Sequence, residues 1–191
     1  MPGATNQVRI IAGRHRGRRV HFIPGRGLRP TPDRVRETLF NWLRGDVGGA
    51  RCLDLFAGSG VLGLEALSRG AVFLCAVEQN RLAAQRLREN VALMREQAAA
   101  EVQQRDALRM LLVTPDRPCD VAFVDPPFAD SLLPRVCRLL EDKRWLAVGA
   151  QIYLEKDANR PWPVLPATWA VSREGSAGQS AYRLLRRSNT G

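Results

Sequence analysis

Four consecutive residues, Asp125-Pro126-Pro127-Phe128, follow a strand-like apolar run and have the residue types needed to hold a nucleobase amine. Two prolines fix φ and remove two N–H donors, so the Asp125 carboxylate and the Pro126 carbonyl can both point outward as acceptors. Two acceptors that grip both hydrogens of an exocyclic amine orient its lone pair towards an electrophile. Phe128 offers a ring on which the base can stack. The segment therefore predicts chemistry on a base amine, carried by positioning and charge stabilisation.

A glycine-rich turn lies upstream, between a buried strand and a helix. It contains Gly58, Gly60 and Gly63 in the spacing G-x-G-x-x-G, and Glu78 ends the next strand. This spacing fits a nucleotide cofactor, either NAD or S-adenosylmethionine, whose ribose hydroxyls bond to the acidic residue. Asp54, just before the turn, is unfavourable beside an anionic pyrophosphate but suits the ammonium of a methionine moiety. The sequence therefore favours S-adenosylmethionine as the cofactor.

A further cofactor contact is expected after the third strand. Asp106 is placed to accept a hydrogen bond from the adenine amine, with the backbone N–H of Ala107 nearby. An Asp at this position serves equally as the N-cap of the following helix. Cys119 precedes the fourth strand, whereas a thiol nucleophile would follow it, so it is interpreted as structural. No His, Cys and Asp grouping has the spacing of a metal site.

The positive charge of the chain is concentrated at its N-terminal end. The formal net charge is +10, and residues 1–51 contain eleven arginines against three acidic residues, which is 11 − 3 = +8. A basic segment on a nearly neutral body indicates a polyanionic partner, most commonly nucleic acid. The alternative is a solubilising surface in an arginine-rich proteome. The residues expected to contact RNA are Arg9, Arg14, His15, Arg16, Arg18, Arg19 and Arg29.

Bulk composition excludes several other classes of protein. A length of 191 residues with 45% hydrophobic and 25% charged content fits one globular domain with a small appendage. The apolar runs are too short to cross a bilayer, and residues 1–7 lack the pattern of a secretory signal. The four cysteines form no C-x-x-C pair. We therefore expect a soluble protein of a reducing cytoplasm.

The elements that must position these residues alternate between strand and helix. Residues 8–13 and 17–22 predict a basic hairpin, and Thr31 is the expected N-cap of a helix that reaches about Arg44. Further strands are expected at 52–56, 71–78, 101–105, 120–124, 151–155, 169–174 and 180–187, and further helices at 60–69, 81–95, 107–112 and 131–140. This order predicts an α/β fold with a doubly wound, Rossmann-like, mostly parallel sheet and an antiparallel C-terminal edge.

Several stretches resemble one known family, the bacterial RsmD-type methyltransferases of the small-subunit ribosomal RNA that act on guanine N2. The matching stretches are 9–13, 27–43, 54–69, 123–128 and 177–183, so the resemblance extends across nearly the whole chain. The segment from Asp125 to Phe128 alone indicates only an amino-methyltransferase. The 27–43 stretch is much more specific to this family.

The resemblance implies a class I methyltransferase fold with an N-terminal hairpin and S-adenosylmethionine as cofactor. It implies methylation of N2 of one 16S rRNA guanine, of the guanine-966 type, on an assembled or assembling small subunit. We expect the protein to act as a monomer. The implied cofactor contacts are Asp54, Phe56, Gly58, Gly60, Glu78, Gln79, Asp106 and Ala107. Thr31, Arg34 and Glu37 match the element that covers the cofactor, although an ordinary capped amphipathic helix would explain them too.

Two other functions remain open at this stage. Gripping an amine does not distinguish guanine from adenine, so an N6-adenine methyltransferase of RNA or DNA is the nearest alternative. A non-catalytic RNA-binding assembly factor is the second, although Asp54, Glu78 and Asp125 are all present. We divide the chain into a basic extension, 1–45, for RNA binding and cofactor cover, and a methyltransferase domain, 46–191.

Overall fold

The computed structural model describes residues 6–23, 31–127 and 132–189. The strands are β1 (Gln7–Arg9), β2 (Arg19–His21), β3 (Arg51–Asp54), β4 (Phe73–Val77), β5 (Ala100–Gln103), β6 (Cys119–Val124), β7 (Leu146–Asp157), β8 (Trp169–Ala177) and β9 (Ser180–Arg187). The helices are α1 (Asp33–Trp42), α2 (Val61–Ser68), α3 (Arg81–Leu93), α4 (Ala107–Leu111) and α5 (Leu133–Asp142).

Seven of the strands form one sheet in the order β5-β4-β3-β6-β7-β9-β8. The first five in this order pair in parallel, whereas β9 pairs antiparallel with both β7 and β8. β1 and β2 form a separate antiparallel ribbon. The predicted fold class is confirmed, including the N-terminal hairpin and the antiparallel C-terminal edge.

Helices cover both faces of the sheet, which explains the continuous apolar runs of its central strands. α1, α2 and α3 pack on one face, against residues such as Cys52, Phe123 and Tyr153. α4 and α5 pack on the other face, against residues such as Leu53 and Ile152. We call these the first and the second face. Because side chains alternate along a strand, successive residues of each strand lie on the first and the second face in turn.

The N-terminal segment is docked onto the first face through Glu65 of α2. This carboxylate is completely buried and accepts the backbone N–H groups of Ile11 and Ala12 at 2.8 and 3.0 Å. It also pairs with Arg36 at 3.3 Å and with Arg69 at 2.8 Å. One acidic side chain thus ties together the hairpin, α1 and α2, and a buried charge of this kind is tolerated because it is fully paired.

The start of α1 differs from the prediction. The helix begins at Asp33, Pro32 occupies the N-cap position, and no side chain caps the first turn. Thr31 is buried, and its carbonyl accepts a hydrogen bond from Nε of Arg36 at 3.2 Å. The expected N-cap role of Thr31 is therefore wrong, because the guanidinium of Arg36 holds that residue one position ahead of the cap.

β7 is also longer than predicted, with twelve residues instead of five. The extra residues at its start, from Leu146 onwards, pair with β6 across an irregular register. Gly149, which has φ of +80° there, breaks the apolar alternation in the sequence without ending the strand. Strict alternation of apolar and polar residues cannot detect a strand that contains such an irregularity.

Candidate active site

The candidate site lies at the carboxyl edge of the sheet, between β3 and β6. The chain runs outward from β3 through β4 to β5 and then returns to β6 on the other side. Ligands of doubly wound sheets bind in the crevice at such a switch point. Asp54 ends β3 and is in register with Phe123 of β6, so Asp125 follows just beyond it on the neighbouring strand.

The glycine turn after β3 leaves no room for a side chain at Gly60. This residue has φ of +74°, and a Cβ built there would lie 2.1 Å from Cδ1 of Leu87. The N–H of Gly58 donates to the Glu78 carboxylate at 2.9 Å, which ties the turn to the end of β4. The glycines therefore let the turn pack closely against α3, and a G-x-G-x-x-G turn of this kind fits a nucleotide-like cofactor.

Asp54 is 4% exposed and its Oδ2 accepts the N–H of Gly63 at 3.1 Å. Burial raises the pKa of Asp54 to about 7, the Gly63 hydrogen bond opposes this rise, and the charge of Glu78 adds to it. An acid in this position gains from a nearby cation, since a positive charge favours its ionised form. The expected contact with an ammonium group fits this environment.

The other expected cofactor contacts lie along the same edge. Glu78 follows β4, where it accepts the N–H groups of Gly58 and Asn80. Asp106 follows β5 and accepts the N–H of Arg109 at 2.8 Å, so it is the N-cap of α4. The alternative reading of Asp106 as a cap is confirmed, and its contact with adenine stays a prediction.

Phe56, Gln79 and Ala107 complete this set of expected contacts. Phe56 is partly buried in the turn after β3, Gln79 is exposed beyond β4, and Ala107 is buried at the start of α4. All three therefore lie at the edge where the glycine turn opens.

Asp125 stands directly after β6 and lies between two other carboxylates, Asp54 on β3 and Glu155 on β7. Burial raises the pKa of Asp125 well above its usual value, and the charges of Glu155 and Asp54 raise it further. Pro126 is buried and Pro127 is exposed, so the turn leaves the sheet at this point. Phe128 lies outside the described residues.

Glu155 and Tyr153 were missed by the sequence reasoning. Tyr153 is fully buried and donates its hydroxyl to Oε2 of Glu155 at 2.6 Å. The register pairs Val124 with Leu154, so Glu155 is next to Asp125 on the same face. Burial and the charge of Glu155 raise the pKa of Tyr153, which keeps its hydroxyl protonated as a donor. A carboxylate at the end of an otherwise apolar strand is the signal that could have identified it.

The basic hairpin lies at the opposite edge of the sheet from Asp125. Its turn contacts the C-terminal ends of α2 and α3, where the N–H of Arg14 donates to the Ser68 carbonyl. The side chains of Arg14 and His15 reach Glu96 at 2.7 and 2.5 Å. Part of the predicted RNA-binding charge is therefore engaged within the protein.

The remaining hairpin arginines differ in their surroundings. Arg18 donates to the carbonyl of Leu93, whereas Arg9, Arg16 and Arg19 are exposed. The expected RNA contact at Arg29 lies outside the described residues.

The residues expected to cover the cofactor differ in their burial. Thr31 is buried before the helix, whereas Arg34 and Glu37 are exposed on its outer side. Arg36, which the sequence reasoning passed over, is fully buried and pairs with Asp33 and Glu65. The resemblance had pointed to the exposed residues, because the sequence does not show which side of the helix is buried by ion pairs.

The described residues give little support to thiol or metal chemistry. All four cysteines are buried and free, and burial raises the pKa of Cys119 to about 11, which keeps it a thiol. No cluster of three or more His, Cys, Asp or Glu side chains in residues 6–23, 31–127 and 132–189 could hold a metal ion. No helix described for this chain has the length and apolar character needed to span a bilayer.

Comparison with known proteins identifies relatives of nearly equal length. The family model described as conserved hypothetical protein 95 matches residues 8–186. Ribosomal RNA small subunit methyltransferase D of Escherichia coli strain K12 is 46% identical over 187 residues, or 98% of this chain and 93% of that protein. The Haemophilus influenzae protein of the same name is 41% identical over 185 residues, or 96% of this chain and 95% of that protein.

Solved structures of other proteins are also similar to this chain. A structure of methyltransferase YhhF from Escherichia coli matches with a TM-score of 0.89 and 45% identity, covering 95% of this chain and 98% of that one. An RNA methyltransferase from Salinibacter ruber, solved with S-adenosyl-L-homocysteine, has a TM-score of 0.62 at 15% identity over 84% of this chain and 94% of that one. This second similarity shows a shared fold.

Proposed function

Because the chain belongs to the family described as conserved hypothetical protein 95, and its curated relatives are ribosomal RNA small subunit methyltransferases, we propose that it methylates the exocyclic N2 amine of a guanine in 16S rRNA. The proposed target is of the guanine-966 type. The cofactor is S-adenosylmethionine, which supplies an electrophilic methyl group on a positively charged sulfur. The sequence resemblance to the RsmD-type family is confirmed.

The chain's own residues hold the cofactor in this proposal. Asp54 attracts the ammonium, Glu78 bonds the ribose hydroxyls, and the Gly58–Gly60 backbone lies against the nucleoside. The tie between the Gly58 N–H and the Glu78 carboxylate at 2.9 Å supports this arrangement, because it brings the glycine turn next to the acid at the end of β4. Asp106 and Ala107 bind the adenine ring, and Thr31, Arg34 and Glu37 cover the site.

The single observation that carries the proposal is the position of Asp125, Pro126 and Pro127 beside Asp54 at the switch point. The Asp125 carboxylate and the Pro126 carbonyl accept the two amine hydrogens and aim the nitrogen lone pair. The nitrogen would form a bond to the methyl carbon as the carbon–sulfur bond of S-adenosylmethionine breaks, S-adenosylhomocysteine would leave, and the nitrogen would lose one hydrogen as a proton. Asp125 takes this proton readily, because burial and neighbouring carboxylates raise its pKa. Phe128 stacks on the base.

The substrate proposal extends to RNA binding and location. Arg9, Arg16 and Arg19 present unpaired charge for phosphate contacts within the described part of the hairpin. We assign residues 1–45 to RNA binding and cofactor cover and residues 46–191 to methyl transfer. The enzyme works as a monomer in the cytoplasm, on an assembled or assembling small subunit.

An Asp125→Ala variant tests the catalytic assignment. We expect methyl transfer to small subunits lacking the modification to fall by at least about a hundredfold, because one of two amine acceptors is lost. S-adenosylmethionine binding, measured by calorimetry, should stay nearly unchanged. Asp116→Ala, at an exposed loop residue, is the matched control and should keep full activity. Near-normal turnover by Asp125→Ala would remove this residue from the chemistry.

Three further measurements separate the alternatives. Nucleoside analysis of the methylated subunit should yield N2-methylguanosine, whereas N6-methyladenosine would support an adenine methyltransferase. Failure of the wild-type protein to bind S-adenosylmethionine would support a non-catalytic assembly factor. Transfer to duplex DNA alone would contradict an RNA substrate.

A further inference from the structure

A cavity of about 250 Å³ lies behind the Pro126-Pro127 turn, and no step proposed above uses it. Its walls come from the turn, from the start of α5 and from the loop that follows β7. The lining residues that matter here are Pro126, Pro127, Pro134, Lys156, Arg160 and Trp162. We call this cavity the proline pocket.

The proline pocket opens on the second face of the sheet, whereas the Asp125 side chain lies on the first face. Lys156 follows Glu155 on β7 and therefore points to the opposite side of the sheet. Leu133, at the start of α5, and Trp162 both belong to the second-face cluster or pack against it. A group seated in the pocket is thus separated from the amine-binding acceptors by the proline turn itself.

The chemistry of the walls fits a planar ring joined to a negative charge. Lys156 Nζ and the Arg183 guanidinium lie 4.8 and 4.4 Å from the centre of the Trp162 ring. Lys156 also donates to the carbonyls of Asp157 and Arg160, which fixes the ammonium in place. Proline rings and an indole give apolar surfaces, whereas Arg183 is paired with Glu174 at 3.1 Å. Two basic lining residues, Lys156 and the exposed Arg160, outnumber the single acidic one, Asp157, which favours a phosphodiester nearby.

We propose that the proline pocket binds the base of the RNA nucleotide directly adjacent to the target guanine. This inference rests on the proposed function. An enzyme that acts on a base in structured RNA must pull it out of its stack, which also disturbs the neighbouring base. A stacking surface on the far side of the turn compensates for that loss and holds the strand so that the target amine reaches Asp125.

A pocket-filling variant tests the inference directly. Pro134 is exposed and lines the pocket, so Pro134→Trp should occupy the space without disturbing the core. We expect kcat/KM for small subunits to fall about tenfold or more, mainly through a higher KM, as for the loss of one stacked base. Cofactor affinity should not change. Val164→Trp is the matched control, because Val164 is 95% exposed and does not line the pocket.

A second pair of variants removes the indole platform. Trp162→Ala should raise the KM for subunits to a similar extent, and Trp162→Phe should restore most of the affinity. Melting temperatures identify any variant that merely fails to fold, and in that case Pro134→Trp decides. An unchanged KM in Pro134→Trp would overturn the pocket while wild-type methyl transfer would still stand.

Photo-crosslinking identifies the occupant. With benzoylphenylalanine at position 134, we expect a cross-link to the nucleotide next to the methylated guanine, mapped by primer extension. A cross-link to a ribosomal protein, or to the methylated nucleotide itself, would overturn the assignment. Absence of any methyl transfer by the wild-type enzyme would instead refute the proposed function.

Discussion

Asp54 and Asp125 are acids at the carboxyl ends of the neighbouring strands β3 and β6, and neither forms a salt bridge within the described residues. Burial raises the pKa of both. The charge of Glu78 adds to the rise at Asp54, and the charges of Glu155 and Asp54 add to the rise at Asp125. An acid that is hard to ionise in the empty protein becomes easier to ionise beside a cation. This environment fits a positively charged ligand, such as the sulfonium and ammonium of S-adenosylmethionine.

The pH dependence of the protein's stability without cofactor should reveal the free-energy cost of burying the Asp54 carboxylate. The pKa of this acid rises from 3.8 in the unfolded chain to about 7 in the folded one. Between these values ionisation favours the unfolded state, so stability is lost as the pH rises towards 7 and stays low above it. We expect Asp54→Asn to gain stability over the wild type by at most about 1.4 kcal/mol per pH unit across this window.

Urea unfolding of both proteins at pH 5, 6, 7 and 8 measures this difference. The gap should widen up to about pH 7 and then level off. Asparagine keeps an acceptor for the Gly63 N–H, so the hydrogen bond itself is not lost. A gap that stays the same at all four pH values would contradict the raised pKa.

At the scale of the element, the two ends of α2 contact different parts of the molecule. The glycine turn opens the helix at the carboxyl edge of the sheet, and Glu65 and Ser68 near its other end hold the N-terminal segment. The hydroxyl of Ser68 donates to the Ala12 carbonyl at 2.6 Å and accepts the N–H of His15 at 3.0 Å. A short helix therefore connects the glycine turn to the basic hairpin.

Removing the Glu65 carboxylate should strongly destabilise the protein. Glu65→Ala leaves the fully buried Arg36 guanidinium without one of its partners, and breaking a buried pair costs about 3–5 kcal/mol. The control is Glu89→Ala, which removes an exposed pair with Arg86 and should cost under about 1 kcal/mol. Urea unfolding compares the two, and equal losses would show that Glu65 does not hold the N-terminal segment.

The sequence predicted most elements because alternation and glycine spacing are local signals. The order of strands, the turn at Gly58 and the position of Asp125 after β6 all follow from such patterns. Glu155 and Glu65 could not be assigned in this way, because their roles depend on which strands and segments meet in three dimensions. The N-cap prediction at Thr31 failed for a local reason, because Pro32 occupies that position and Arg36, five residues further on, binds the Thr31 carbonyl.

At the scale of the whole molecule, the basic hairpin turn and the carboxyl edge beside Asp125 lie at opposite ends of the sheet. α3, whose C-terminal end contacts the hairpin, has 13 residues and spans about 20 Å. An RNA that contacts both ends must therefore run along the side of the protein. This geometry favours a large, folded RNA surface as the substrate over a short single strand.

Salt dependence tests whether the hairpin contacts that RNA. Replacing Arg16 and Arg19 by Gln removes two exposed charges and should reduce the slope of log affinity against log salt by roughly 1.4–1.8. Arg117→Gln with Arg173→Gln removes the same charge from exposed sites outside the hairpin and should leave the slope unchanged. Equal slopes for both pairs would place the RNA surface elsewhere.

The docking of the first residues onto Glu65 also sets an order of events during synthesis. The hydrogen bond from Ile11 to Glu65 joins positions 54 residues apart, so its acceptor leaves the ribosome later than its donor. At a synthesis rate of about 5–20 residues per second, this delay amounts to roughly 3–11 seconds. The segment made first is thus among the last to be locked in place, and nascent chains stalled before α2 should leave it open to protease.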